Sequence, residues 1–193
     1  MGILDWLGKS GGFRKPRSIR HNGRRLSEIL EAHARFIRGD LTGVRANLDG
    51  CNLKHADLRG ANLAYANARG ANLEEANLGE AKLTFANLSQ ANLRRADLRK
   101  ADLTETNLSH ADLSGAQLSG VELFRADLSG ASLRRANLVA ANFRNANIRG
   151  ADLRGADMTT TILRETDLSG VDLSGLDLST TLMPRNWKPS LEE

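Results

Sequence analysis

From Ala46 to Thr180 a five-residue unit is written twenty-seven times without a slip in register. The third residue is Leu in 23 units, the exceptions being Ala68, Phe143, Ile148 and Met158. The first is Ala in 20, and the second is Asp or Asn in 22. A period of five suits neither a helix, which repeats at about 3.6, nor a strand, which repeats at about 2. It does suit an extended triad followed by a corner. Residues one and three then point to one side and residue two to the other. The Arg, Ser, Gly, Thr, Glu and Lys of positions four and five turn the chain in water. One unit is too small to bury its own Leu. The sequence therefore predicts stacked coils, with Leu forming a continuous column, Ala leaving room beside it, and backbone pairing between coils at roughly 4.8 Å.

The number of sides per coil is less constrained. Gly130, Gly150 and Gly170 align at twenty residues, as do Gly155 and Gly175, while Gly115 and Gly130 also fit a three-sided coil of fifteen. The A-(D/N)-L-x-x units resemble those of the pentapeptide-repeat proteins, over about 70 % of the chain. That resemblance implies an all-β solenoid, a right-handed quadrilateral β-helix with four units per coil. Leu103 would then lie between Leu83 and Leu123, in a rod roughly 32 Å long. Lys82, Gln117, Glu122, Ser132 and Ile162 depart from Asp/Asn at position two. Thr106, Val121, Thr161, Thr166, Val171 and Leu176 depart from Ala or Cys at position one, and their clustering from Thr161 onward suggests a slightly widened last coil.

The flanks divide into four segments with the rod. Residues 1–25 combine an apolar knob (Ile3, Leu4, Trp6, Leu7) with a basic arm that includes Arg14, Lys15 and Arg17; glycine, proline and like charge predict disorder over 8–25. The span 26–45 holds a capping α-helix over Ser27–Arg38, with Ser27 as its cap. Phe36 and Ile37 are expected on the first Leu layer, His33 at the rim, and Leu41–Arg45 as a degenerate first unit. The rod itself covers 46–180. In 181–193, Leu182, Met183 and Trp187 are expected to fold over the last coil, or else to make an end-to-end homodimer in place of a monomer. Leaving the first coil bare would invite edge-to-edge association.

Charge and motifs exclude more than they assign. Residues 1–45 carry ten Lys/Arg against four Asp/Glu, whereas the rod carries fifteen against seventeen. Some pentapeptide-repeat proteins protect DNA gyrase from quinolones by imitating duplex DNA, which needs a strongly negative rod; that reading is a lesser alternative here. Nucleic acid is not an expected partner. Cys51 reads as a small core residue, and no segment has the length of a membrane span or the form of a signal peptide, so a cytoplasmic protein is expected. No metal-ligand spacing, phosphate loop or nucleophile motif is present, and the rod carboxylates sit at a structural position; the sequence predicts no enzyme and no cofactor.

Surface patterns offer three candidates. Tyr65 and Phe85 fall one coil apart, with Phe124 near the same edge, and form either a contact strip or a patch covered by the N-terminal segment. Arg94, Arg95, Arg99 and Lys100, with Arg134 and Arg135 two coils on, form either an anion-binding face or a mixed-charge surface beside Glu74, Glu75, Asp97 and Asp102. The knob and arm of residues 1–25, with Trp6 at their centre, form either a leader or a peripheral anchor on an anionic membrane at its inner face. The leading expectation is a non-enzymatic scaffold for an unidentified protein partner.

Overall fold

The computed structural model describes residues 12–185, 187 and 188. Twenty-two parallel bridges join residues twenty apart, from Asn47–Asn67 to Ile162–Leu182, which selects the four-sided coil. The rod is a right-handed quadrilateral β-helix whose four sides begin at Ala46, Cys51, Ala56 and Ala61 and repeat every twenty residues. Each bridge uses the triad in the same way. The Asp102 N–H donates to the Ala81 carbonyl of the preceding coil at 2.9 Å, and the Leu103 N–H donates to the Glu122 carbonyl of the next at 2.8 Å. From Gly50 to Gly175 the fifth residue adopts a positive φ, whether it is Gly or not, so that the following N–H can close on the third carbonyl (Cys51 to Leu48, 2.9 Å).

The preference for Asp or Asn at position two has a direct cause. In all 22 such units the side-chain Oδ1 accepts the backbone N–H two residues on, an Asx turn that holds the corner open for the next side. The core is the Leu column with Ala at its edges. Leu103 is fully buried beside equally buried Leu83 and Leu123. Each such Leu contributes about 1.5–3 kcal/mol by leaving water. Where Thr replaces Ala, the buried hydroxyl finds an acceptor. Thr106, Thr161, Thr166 and Thr181 each donate to the carbonyl 23 residues back, at 2.6–2.9 Å, using the lone pair left by that carbonyl's own turn.

The ends differ from the sequence reading. The repeat runs one unit further than Thr180. Thr181 is buried, Leu182 pairs outward with Ile162, and Met183 packs on the core, so Leu182 does not fold over the last coil. In that coil the sides at Asp152/Asp172 and Asp157/Asp177 form no bridges, and Leu168, Val171, Leu173, Leu176 and Leu178 are only half-buried.

At the other end, residues 12–25 are folded, not disordered. Arg14 adds to the first coil beside Ala56, donating to the His55 carbonyl at 2.7 Å and accepting from Asp57 at 2.9 Å. A 3-10 turn (Pro16–Ser18) leads to β1 (Arg20–His21), an Asn22–Gly23 turn at φ 49° and 80°, and β2 (Arg24–Arg25). The helix α1 (Leu26–Ile37) follows; its first turn is closed by the Arg25 N–H donating to Glu28 Oε2 at 3.1 Å, not by Ser27. Leu26, Ile29, Leu30 and His33 cover the first coil together with Ile19, while Phe36 is 37 % exposed and Ile37 half-buried. The expectation for Phe36 and Ile37 was therefore displaced by one helix turn. Leu41 is fully exposed, so residues 41–45 are a connection and not a coil side.

Candidate interaction surface

The corner that follows the fourth side carries the aromatic candidates. Tyr65 and Phe85 stack with centroids 5.0 Å apart and planes 7° from parallel, and they remain 46 % and 44 % exposed. Both hold positive φ, 63° and 58°, which is uncommon for bulky residues and disfavoured by the clash of Cβ with the following carbonyl. The fifth position imposes that geometry and projects the side chain along the corner. There it meets the residue one coil away. Arg45 precedes the pair and donates its Nε to the Tyr65 carbonyl. Phe124 does not extend the stack. It lies at a fourth position, half-buried beneath the Arg125 guanidinium at 5.0 Å, with Thr104 and Glu105 between it and Phe85.

The basic candidates separate onto two corners. Arg94, Arg95, Arg134 and Arg135 follow the second side; Arg99 and Lys100 follow the third. Most are neutralised locally. Arg94 pairs with Asp112 at 3.3 Å, Arg95 with Glu75 at 3.6 Å, Arg99 with Asp97 at 2.6 Å and Arg134 with Asp152 at 3.4 Å. The Arg99 guanidinium holds the Asp97 carboxyl below the usual range, and Arg154, with Arg134 behind it, does the same to Asp152. Four of the six cations thus have a carboxylate within 4 Å, from an adjacent coil or from two residues back in the same coil, as on a mixed-charge surface.

At the N-terminal end, Arg14 is half-buried in its added strand, whereas Lys15 and Arg17 are exposed; Trp6 lies outside the described residues. His33 is fully buried, not at a rim. Its Nδ1 accepts the Ala46 N–H at 3.1 Å, its ring stacks on Phe36 at 5.7 Å, and burial pushes its pKa below the ordinary imidazole value. Cys51 is a buried core thiol whose pKa burial pushes up to about 11, which leaves it protonated at neutral pH. At the opposite end, Trp187 is half-buried and lines, with Pro184 and Lys188, a cleft of about 810 Å³ over the loosened coil. The described residues contain no group of three or more His, Cys, Asp or Glu able to hold a metal, and no helix long and apolar enough to cross a membrane.

Sequence reasoning missed the hairpin. Asn22–Gly23 between basic pairs is a strong two-residue turn signal, but the surrounding charge and glycine had pointed to disorder.

The family described as pentapeptide repeats matches residues 44–79, 81–120 and 122–159, in eight copies. Among solved structures, HetL from the cyanobacterium Nostoc sp. PCC 7120, a protein involved in heterocyst differentiation regulation, is 30 % identical, with 74 % of this chain and 87 % of that one covered and a TM-score of 0.38. Rfr23 from the cyanobacterium Cyanothece 51142 is 26 % identical, with 78 % and 97 % covered and a TM-score of 0.39. QnrB1, a plasmid-mediated fluoroquinolone resistance protein, is 20 % identical, with 63 % and 79 % covered and a TM-score of 0.35. No curated protein matches the chain.

Proposed function

The chain belongs to the pentapeptide-repeat family, and from that premise we propose that it is a non-enzymatic, rigid interaction module whose contact edge for a protein partner is the corner bearing Tyr65 and Phe85. One observation carries the reading: two stacked aromatic rings stand in water at positive φ, on a corner that carries Glu105, Arg125, Asn145 and Glu165 in the later coils. Exposed aromatics held in one orientation lose little entropy on docking, and aromatic anchors dominate many interfaces. The near-balance of the rod, fifteen cations against seventeen anions over 46–180, argues against imitation of duplex DNA.

The test is site-specific photo-crosslinking in the native cell. A photoreactive phenylalanine at position 85 is expected to capture a discrete partner that the same group at position 140, on another corner, does not. Tyr65→Ser is expected to abolish that capture while the far-ultraviolet spectrum and melting temperature stay unchanged. Equal capture from both positions, or indifference to Tyr65→Ser, refutes the assignment.

A second reading, end-to-end pairing of two copies, is supported by the last coil, where five apolar side chains stay half-buried beside unbridged backbone. It requires a concentration-dependent dimer in sedimentation that Leu178→Lys converts to monomer.

A further inference from the structure

The N-terminal cap holds an arrangement that folding alone does not favour. The hairpin register sets Arg20 opposite Arg25 and His21 opposite Arg24, and like charges directly opposite one another destabilise a strand pair. Residues 12–45 carry nine Lys/Arg against three Asp/Glu. Yet all ten ion pairs among the described residues lie in the rod, and none involves this cap.

Its arginines are oriented by backbone carbonyls, which fix a guanidinium without cancelling its charge. Arg45 donates Nε to Tyr65, Arg24 donates Nη2 to Glu28 at 3.4 Å, and Arg20 donates Nη1 to Gly23 at 3.0 Å. Between the hairpin, α1 and the first coil lies a cleft of about 170 Å³, lined by His21, Arg24, Arg45 and Asn47 together with apolar Ile29, Ala32 and Val44.

We propose that this cleft is a binding site for a phosphate-type oxyanion held by Arg24 and Arg45. Guanidinium forks match tetrahedral oxyanions, and a charge approaching −2 answers two guanidinium groups on one cleft better than a single carboxylate does. The cleft accommodates one such group, with neighbouring Arg20 and Arg25 contributing field. Bound anion relieves the cross-strand repulsion, so ligand binding and hairpin stability are coupled. The same chemistry serves a soluble phosphomonoester or a lipid headgroup that ends in a phosphomonoester.

The experiment titrates the full-length protein with inorganic phosphate and follows the Gly23, Val44 and Arg Nε–H resonances, against sodium chloride of equal ionic strength and against acetate. Saturable shifts with phosphate alone are expected. Arg24→Gln and Arg45→Gln are each expected to weaken binding by about tenfold or more, the usual loss for a charge-assisted hydrogen bond; Arg164→Gln in the sixth coil should leave it unchanged. Because repulsion is being removed, Arg24→Gln should melt no lower than the parent protein, and this variant decides the matter if Arg45→Gln fails to fold. Shifts that chloride or acetate reproduces, or that survive Arg24→Gln, overturn the site. Competition by phosphatidic acid vesicles, whose phosphomonoester also approaches −2, absent with phosphatidylcholine, would assign the ligand to a lipid headgroup; no competition would assign it to a soluble phosphate, the site standing in both cases.

Discussion

Replacing Gly43 by Ala tests whether the N-terminal cap is seated by backbone contact. A Cβ at this position would fall inside the contact distance of Phe36 N and Cα and reach Arg35 C at 2.5 Å. All three are backbone atoms of α1, so no side chain can rotate away. The loop must retreat by more than about 1 Å to reach an ordinary 3.4 Å separation. The Val44 N–H then leaves the Ala32 carbonyl, now at 3.0 Å. Overpacking against a fixed neighbour costs about 1–3 kcal/mol and the lost hydrogen bond about 0.5–1.5, so the cap should lose roughly 2–4 kcal/mol. A solenoid couples mainly nearest neighbours, and the loss should stay local. Hydrogen exchange read by mass spectrometry should show α1 and residues 44–50 exchanging about thirtyfold or more faster, with residues 91–125 unaffected. Gly39→Ala is the control: Gly39 has φ 76° but nothing within 4 Å, so only strain of about 1 kcal/mol is introduced. Equal protection of α1 in Gly43→Ala and parent protein would refute the seating.

The remaining expectations concern the rod and the buried imidazole. Leu103→Lys places an unpaired charge between fully buried Leu83 and Leu123; it should prevent soluble expression or lower the melting temperature sharply, and an unchanged melt would contradict the stacking. Thr106→Val keeps the shape but deletes the 2.7 Å bond to the Leu83 carbonyl, which retains its Ala86 partner, so calorimetry should find a loss of only about 0.5–1 kcal/mol. Ala140→Gly relieves φ 57° at an exposed corner and should stabilise by about 0.5 kcal/mol, since the strain relieved slightly exceeds the entropy gained by the unfolded chain. His33 has its pKa lowered by burial, with Arg45 adding to the effect and the Ala64 backbone opposing it. The folded cap therefore favours the neutral ring. Stability is intact above the unfolded value of about 6.5 and falls as pH drops through the lowered folded value. Exchange of α1, corrected for intrinsic rates, should rise from pH 7.5 to pH 5.5 in the parent and not in His33→Phe.

The rod was legible because one short-range rule repeats: Leu inward, Asx over the corner, a turn at every fifth residue. The twenty-residue coil was not legible from periodicity, since a five-residue unit is compatible with any number of sides; the family resemblance had to supply it. The cap was read only in part. α1 was evident from its apolar spacing, but Phe36 and Ile37 and Leu26 with Ile29 lie on overlapping helical faces, and only docking on the coil distinguishes them. The basic segment misled for a physical reason. Its charges argue against folding, while its Asn22–Gly23 turn, Pro16 and Ile19 hold it to the rod. Among the surface candidates, spacing placed Tyr65 over Phe85 once the resemblance had supplied the four-sided coil. It could not show that Arg94, Arg95, Arg99 and Arg134 each meet a carboxylate, because those partners come from neighbouring coils or from a side chain two residues back.

Strain is distributed along the rod in a way that bears on its use. From Glu75 to His110 every fifth residue is non-glycine at positive φ, eight in succession, whereas Gly occupies most fifth positions from Gly115 to Gly130 and from Gly150 to Gly175. Each such residue costs on the order of 1 kcal/mol relative to Gly in that conformation. Part of that is offset by partners one coil away. His55 and Arg95 flank Glu75 at 3.3 and 3.6 Å, Tyr65 stacks on Phe85, and Arg125 approaches Glu105 at 3.8 Å. Exposed pairs of this kind contribute about 0–1 kcal/mol, too little to cover the strain where the partner is weak or missing, as at Gln90 and Lys100. Glycine serves the same turn later in the same chain, so the turn does not require these side chains. What they provide is a fixed outward projection: the third coil carries four of them, the second and fifth three each, and the first, fourth and sixth two each. On the proposed reading, the part of this surface that makes contact is the corner bearing Tyr65 and Phe85 in the first two coils, because theirs are the only Tyr or Phe side chains among these fifth residues.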